Sequence, residues 1–128
     1  MQATARIRVL LKGLGATLQR MDTTHNTTRH LPPSRVDAAR QDARRLLETA
    51  IREQNRHQSD PRTYRQFLRL GRDAAYILGA MDRLGPRIAP RVSYLEESLA
   101  RVESWKTQLD NLDARVQASP KAPSLWNL

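Results

Sequence analysis

An all-α bundle is the fold this sequence predicts, on three observations. Apolar residues recur three and four positions apart through four long segments, the spacing that lines one side of a helix. No stretch alternates apolar and polar with the period of two that marks a half-buried strand. Proline, Gly-Pro and Asp-Pro stand between the segments, where helices stop and start. At 128 residues the chain suits one domain with a modest core.

The periodicity predicts a first helix from Thr4 to Met21, with Ile7, Leu10, Leu11, Leu14 and Leu18 on one face. Gly13 and Gly15 weaken it, which fits either a close approach by another backbone or ligand, or a fraying end. "DTTHNTTRHLPP" reads as a polar loop closed by two prolines. Ser34, with Asp37 three residues on, makes a short-armed capping box for a second helix reaching about Asn55. Its stripe is Val36, Ala39, Ala43, Leu46, Leu47, Ala50 and Ile51, with Arg40, Arg44, Arg45, Arg52 and Arg56 on the polar side or its borders.

Ser59-Asp60-Pro61 opens a third helix, Asp60 as N-cap and Pro61 at the first helical position, where no hydrogen bond is lost. Tyr64, Phe67, Leu68, Gly71, Ala75, Leu78 and Met81 form its expected stripe. Gly71, Ala74, Ala75, Gly79 and Ala80 make this helix thin, permitting close packing or room between helices. Gly85-Pro86 ends it. A fourth helix spans about Val92 to Ala118, with Val92, Leu95, Leu99, Val102, Leu109, Leu112 and Val116 in near-heptad rhythm and Trp105 at the margin. "SPKAPSLWNL" follows as a proline-broken tail, whose Leu125, Trp126 and Leu128 either fold back or anchor a partner.

Composition excludes more than it assigns. There is no cysteine, hence no disulfide, thiolate metal site or thiol nucleophile. His25, His30 and His57 all fall in expected loops, read as solvated and without spacing for a metal. No apolar run reaches the ~20 residues of a membrane-spanning helix. Glu96-Glu97 and the Asp110/Asp113 pair read as solvated carboxylates on a helix face, and no nucleophile motif or phosphate-cradling glycine loop is present. The chain is therefore expected not to be an enzyme and to carry no intrinsic cofactor.

Charge is the informative quantity. Residues 1–91 hold eighteen Lys and Arg against eight Asp and Glu, and residues 92–128 hold four against five. Nineteen of the twenty-two cations are arginine, whose fork suits phosphate and carboxylate. An anionic partner follows: an acidic protein, RNA or an anionic lipid surface. "MQATARIRVLLKGLGATLQRM", with no acid before Asp22, has the composition of a mitochondrial targeting helix, while its apolar face equally suits a retained core helix.

The stretch "ETAIREQNRHQSDPRTYRQFLRLGRDAAYIL" resembles the LYR-motif family of small mitochondrial proteins over roughly residues 5–84. In that family a Leu-Tyr-Arg triplet in helix one is followed by a phenylalanine-arginine pair ending helix two, a polar stretch, Asp-Pro, and a helix with a small residue midway. Here the triplet falls to Leu10-Leu11-Lys12, the pair to Ile51-Arg52, and the turn to Asn55, Arg56, Ser59, Asp60 and Pro61. Leucine thus replaces the tyrosine, lysine the arginine and isoleucine the phenylalanine, and the loop between the first two helices is long.

The resemblance implies a three-helix antiparallel LYR-like bundle in residues 1–88. A long amphipathic C-terminal helix occupies 89–119 and a tail 120–128. It further implies a non-enzymatic assembly factor or accessory subunit of a respiratory or ribosomal complex, in the mitochondrial matrix. Its partners would be mitochondrial acyl carrier protein and a larger client complex, and the carrier's acyl-phosphopantetheine would enter the bundle. On that reading Lys12, Arg44, Arg45 and Arg52 contact carrier or phosphopantetheine, and Leu11, Leu14, Leu47, Ile51, Leu68, Gly71 and Ala75 line the acyl channel. The alternatives are a basic helical RNA-binding or mitochondrial ribosome-associated protein, on the arginine content, and an interaction protein acting through its fourth helix.

Overall fold

The computed structural model describes residues 2–27, 33–84 and 92–118, with side chains over 4–21, 34–82 and 94–114. Among these the chain is all-helical, with α1 (Gln2–Thr27), α2 (Pro33–Arg56), α3 (Pro61–Leu84) and α4 (Val92–Ala118). The expected Gly85-Pro86 stop, His30 and the tail lie outside the described residues.

Two boundaries differ from expectation. Helix α1 continues through Asp22–Thr27, which were expected to be loop, so His25 is helical. Propagating a formed helix through Thr, Asn or His costs only about 0.7 kcal/mol per residue relative to Ala, and no proline intervenes before Pro32. Helix α2 begins at Pro33, one residue before the expected cap, so Ser34 sits inside its first turn. Asp37 accepts instead from Arg40 at 3.0 Å.

The α2–α3 turn forms as expected. The Asp60 carbonyl accepts the first α3 hydrogen bond from Tyr64 N at 2.8 Å. The Asp60 carboxylate accepts from Arg62 N at 3.2 Å and from Thr63 Oγ1 at 2.7 Å. Such a cap contributes about 1 kcal/mol. His57 in this turn is not the solvated residue expected. Its ring stacks on Phe67 with centroids 5.5 Å apart, and its Nε2 lies 3.5 Å from the buried Glu53 carboxylate.

Each helix packs on two neighbours, α1 on α2 and α4, α3 on α2 and α4, so the four close into a ring. Cross-helix contacts run with opposite sequence direction: on α1, Gly13 lies against Asp42 of α2 while Arg6 shares a groove with Arg52, and Gly15 lies against Val102 of α4. Arg8 meets Asp110 and Asp113, Arg40 meets Asp82 while Gln54 meets Tyr64, and Asp73 meets Arg101 while Tyr76 meets Glu97. The arrangement is an up-down-up-down bundle. The buried positions alternate three and four apart on every helix: Thr4, Ile7, Leu11, Leu14, Leu18 and Met21 on α1; Val36, Ala39, Ala43, Leu46, Ala50 and Glu53 on α2. They continue as Thr63, Phe67, Leu70, Ala74, Ile77 and Met81 on α3, and Leu95, Ser98, Val102, Trp105, Leu109 and Leu112 on α4. This is the spacing of a coiled-coil seam.

Two stripes are corrected by this seam. On α3 the core face runs through Leu70, Ala74 and Ile77 rather than Gly71, Ala75 and Leu78, and Ala75 is exposed. On α4, Trp105 is the largest fully buried side chain instead of a marginal one. Its indole belongs to one core cluster with Leu11 and Leu14 of α1 and Leu70, Ala74 and Ile77 of α3. The α4 stripe is consumed inside the chain, since Leu95, Val102, Leu109 and Leu112 belong to the same core cluster as α1–α3. Gly15 permits that docking: a Cβ there would lie 3.2 Å from Val102 Cγ1. Of the two explanations for this glycine, close helix approach is the one observed.

Candidate acidic-partner interface

Ordered polar contacts fasten α4 to α1 and to α3, as Arg40–Asp82 and Gln54–Tyr64 fasten α2 to α3. Arg8 Nη2 donates to Asp110 at 2.9 Å and Asp113 at 2.6 Å. Hydrogen bonds from Thr4 and Arg8 hold the Asp113 carboxyl below its ordinary range. These aspartates, expected to be merely solvated, fasten α4 to α1. Asp73 accepts from Arg101 at 2.6 Å and from the Trp105 indole at 2.9 Å. Arg101 lies 4.1 Å over the Tyr76 ring, and the Tyr76 hydroxyl donates to Glu97. That hydrogen bond is the first cause of a Tyr76 pKa above its usual value. In the shallow depression bounded by Asp73, Glu97, Ala100, Arg101 and Ser104, the one arginine is therefore already held by Asp73.

The α1–α2 border is different. A groove of about 460 Å³ runs between the N-terminal half of α1 and the C-terminal half of α2, lined by Arg6, Val9, Leu10, Arg45, Glu48 and Arg52. On α2, Arg45, Glu48 and Arg52 follow the i, i+3, i+7 spacing that aligns side chains along one face. On α1, Leu10 belongs to the core while Val9 remains 71% exposed, so the groove carries apolar surface on its α1 side. Arg6 and Arg52 form no ion pair among the described residues. Arg45 faces Asp42, whose carboxyl burial pushes above its usual range against that arginine's field. Glu48 is the one acid on the groove wall. Apolar side chains and three guanidinium groups against one carboxylate in the lining together suit a ligand carrying carboxylates or phosphates beside an aliphatic portion.

The four cations expected to contact a carrier do not share one site. Arg45 and Arg52 line this groove. Lys12 is exposed one turn beyond Arg8, on the side of α1 that faces α4. Arg44 is exposed on the side of α2 that faces α3, one turn from Arg40. The expected channel residues also divide. Leu11 and Leu14 are fully buried in the four-helix core. Leu47, Leu68 and Gly71 are half-buried and Ile51 and Ala75 exposed, all along the outer α2–α3 seam. A Cβ on Gly71 would meet Ala50 at 3.5 Å and Leu47 at 3.9 Å, so α2 and α3 are in van der Waals contact there.

Arg6, Val9 and Glu48 were missed from the sequence. Arg6 and Val9 flank the expected triplet within one turn, which was the available signal, but the register between α1 and α2 decides that they face Arg52. No group of three or more His, Asp or Glu able to hold a metal occurs among the described residues, and no helix there is long and apolar enough to cross a membrane. Compared with protein-family models, curated proteins and solved structures, the chain matches none.

Proposed function

We infer that this chain is a non-enzymatic assembly factor or accessory subunit that engages an acidic partner, an acylated acyl carrier protein, through the α1–α2 groove. One observation carries the reading: Arg6 and Arg52 form no ion pair among the described residues, and together with Arg45 they outnumber Glu48, the single acid of the groove lining, beside the apolar Val9 and Leu10. Rim arginines of this kind steer and orient an acidic protein, and the desolvated apolar side chains supply affinity. Lys12 and Arg44, on neighbouring faces, extend the positive field without touching the groove.

The mitochondrial matrix is the compartment proposed, on the acid-free, arginine-bearing sequence of α1. Because Ile7, Leu11, Leu14 and Leu18 are core residues, the targeting information would reside in a retained helix. The LYR-like placement of an acyl chain among α1, α2 and α3 belongs to the same reading. Leu11 and Leu14 are packed in one cluster with Val102 and Trp105, so an acyl chain enters only if α4 parts from α1.

Co-expression with an acyl carrier protein, purification and intact mass spectrometry test the proposal. A stoichiometric complex with an acylated carrier is expected, lost when Arg6, Arg45 and Arg52 are replaced by Glu. Purification of the folded chain alone refutes it, and RNA binding that weakens steeply with salt in its place assigns the groove to phosphates.

A further inference from the structure

Among the described residues, the exposed large hydrophobic side chains are Val9 and Ile51, and Ile51 lies on a different surface from Val9. The Gln54–Tyr64 hydrogen bond, the Leu47–Gly71 contact and the Arg40–Asp82 ion pair fix how α2 and α3 run past each other. That register sets Ile51 opposite Leu68 and Arg44 opposite Ala75. The result is a shallow exterior seam, closed at one end by Gln54–Tyr64 and at the other by Arg40–Asp82. Between those ends α2 advances about 20 Å at ~1.5 Å per residue, the length of roughly four helical turns.

We propose that this outer α2–α3 seam, floored by Leu47, Ile51, Leu68 and Gly71 and flanked by Arg44 and Arg72, is the docking face for an acidic amphipathic helix of a partner protein. It is a second surface, independent of the α1–α2 groove. Its floor is apolar beyond what the core requires, because the α3 seam already buries Phe67, Leu70, Ala74 and Ile77 and leaves Ile51 53% exposed. Small residues on α3 keep the trough shallow enough for a helix to approach: Ala75 is exposed, and a Cβ on Gly79 would meet no atom within 4 Å. The flanks decide the occupant. Arg44 and Arg72 are exposed and form no ion pair among the described residues. A second copy of this chain docked about a two-fold axis would set these arginines against their own kind. A helix bearing Leu or Ile at i, i+4 and i+7 with Glu beside them satisfies both floor and flanks. A nucleic acid fits less well, because Leu47, Ile51 and Leu68 offer no ring on which a base stacks.

The experiment uses the full chain, methyl-labelled for NMR, and a stapled synthetic helix of about four turns with a leucine stripe and glutamates at its borders. The same peptide with lysines for glutamates, and a uridine oligonucleotide, are titrated in parallel. Micromolar binding of the acidic peptide at low salt is expected, with shifts at the Leu47, Ile51 and Leu68 methyl groups. Ile51→Lys and, separately, Ala75→Lys alter exposed positions, are checked for folding by circular dichroism, and are each expected to weaken binding about tenfold or more. Alanine at Arg6, Arg45 and Arg52 is expected to leave it within about twofold, which keeps the outcome separate from any failure of carrier binding. Absent binding, equal binding of the lysine peptide, shifts confined to Val9 and Leu10, or larger seam shifts with the oligonucleotide would each overturn the proposal.

Discussion

The side of the bundle that α4 covers and the side that it leaves open use their arginines in opposite ways. Against α4, Arg8 is held by Asp110 and Asp113, and Arg101 by Asp73 and the Tyr76 ring. On the open side, Arg6, Arg44, Arg52 and Arg72 have no such partner among the described residues. Both sides are exposed helix surface, so composition alone does not separate them. The difference is that each of the first two meets a carboxylate of the facing helix, whereas Arg6, Arg44, Arg52 and Arg72 meet none; Arg40, held by Asp82 across the α2–α3 border, is the exception on the open side. Cations in the first group fasten helices together, and those in the second fasten none.

The most severe way to break the comparison is at its structural side. Trp105→Ala removes the largest fully buried side chain of the core, and is expected to cost about 3–5 kcal/mol. It also takes away one of the two donors to Asp73. Urea denaturation at neutral pH reads the effect. A loss under about 1 kcal/mol would mean that α4 contributes little to the fold, and that its carboxylates do not define a separate side.

Asp73→Ala tests the polar contact itself. It leaves the buried Trp105 indole N–H without an acceptor and frees Arg101. A buried donor left unsatisfied costs about 1–3 kcal/mol. Asp73→Asn, which keeps an acceptor for the indole, is expected to recover part of that loss, measured by the same denaturation. Equal losses for the two variants would show that the charge on Asp73, and not its acceptor for Trp105, carries the effect.

These expectations also show what the sequence made legible. Four helices, the Asp60 cap and the α1 core face follow directly from spacing and turn chemistry. The α3 phase did not, because Leu68, Gly71, Ala75 and Leu78 repeat at helical spacing beside the true seam of Phe67, Leu70, Ala74 and Ile77, and pattern alone does not rank two adjacent apolar stripes. Trp105 was misjudged because the buried Ser98 interrupts the apolar record of the seam that reaches it. The candidate site was half legible. Arg45 and Arg52 share one face of α2 by spacing, but which α1 residues oppose them depends on interhelical register, set by packing that no single helix encodes.

Asp113 sharpens the comparison through pH. Hydrogen bonds from Thr4 and Arg8 lower its folded-state pKa, so its charged form is favoured on folding. The associated stability is present above the unfolded value near ~3.9 and is lost as pH falls through the lowered folded value. Wild type should therefore lose stability below about pH 4, and Asp113→Asn should show a shallower acid decline with lower stability at neutral pH. Thermal melts between the two pH regimes check this. An unchanged acid slope in the variant would mean that the α1–α4 contact is not an energetic fastening.

The smallest expected effect on stability falls on the open side, and it is the one that gives the comparison functional meaning. Replacing Arg6, Arg45 and Arg52 by Ala removes three guanidinium groups that fasten no other helix. Exposed substitutions without structural partners usually change stability by no more than about 0.5 kcal/mol each. Relief of like-charge repulsion in so basic a chain offsets part of even that. The same variant should lose most of its affinity for an acyl carrier protein, and the salt dependence of association should flatten with it. Stability and binding are then read on one preparation, by denaturation and by titration across ionic strength. If the triple variant unfolds, its arginines belong with Arg8 and Arg101 as structural cations, and the two sides differ in geometry but not in kind. If it folds and binds undiminished, the α1–α2 groove is solvated surface and the functional cations lie elsewhere, with Arg44 and Arg72 on the α2–α3 seam the next to replace.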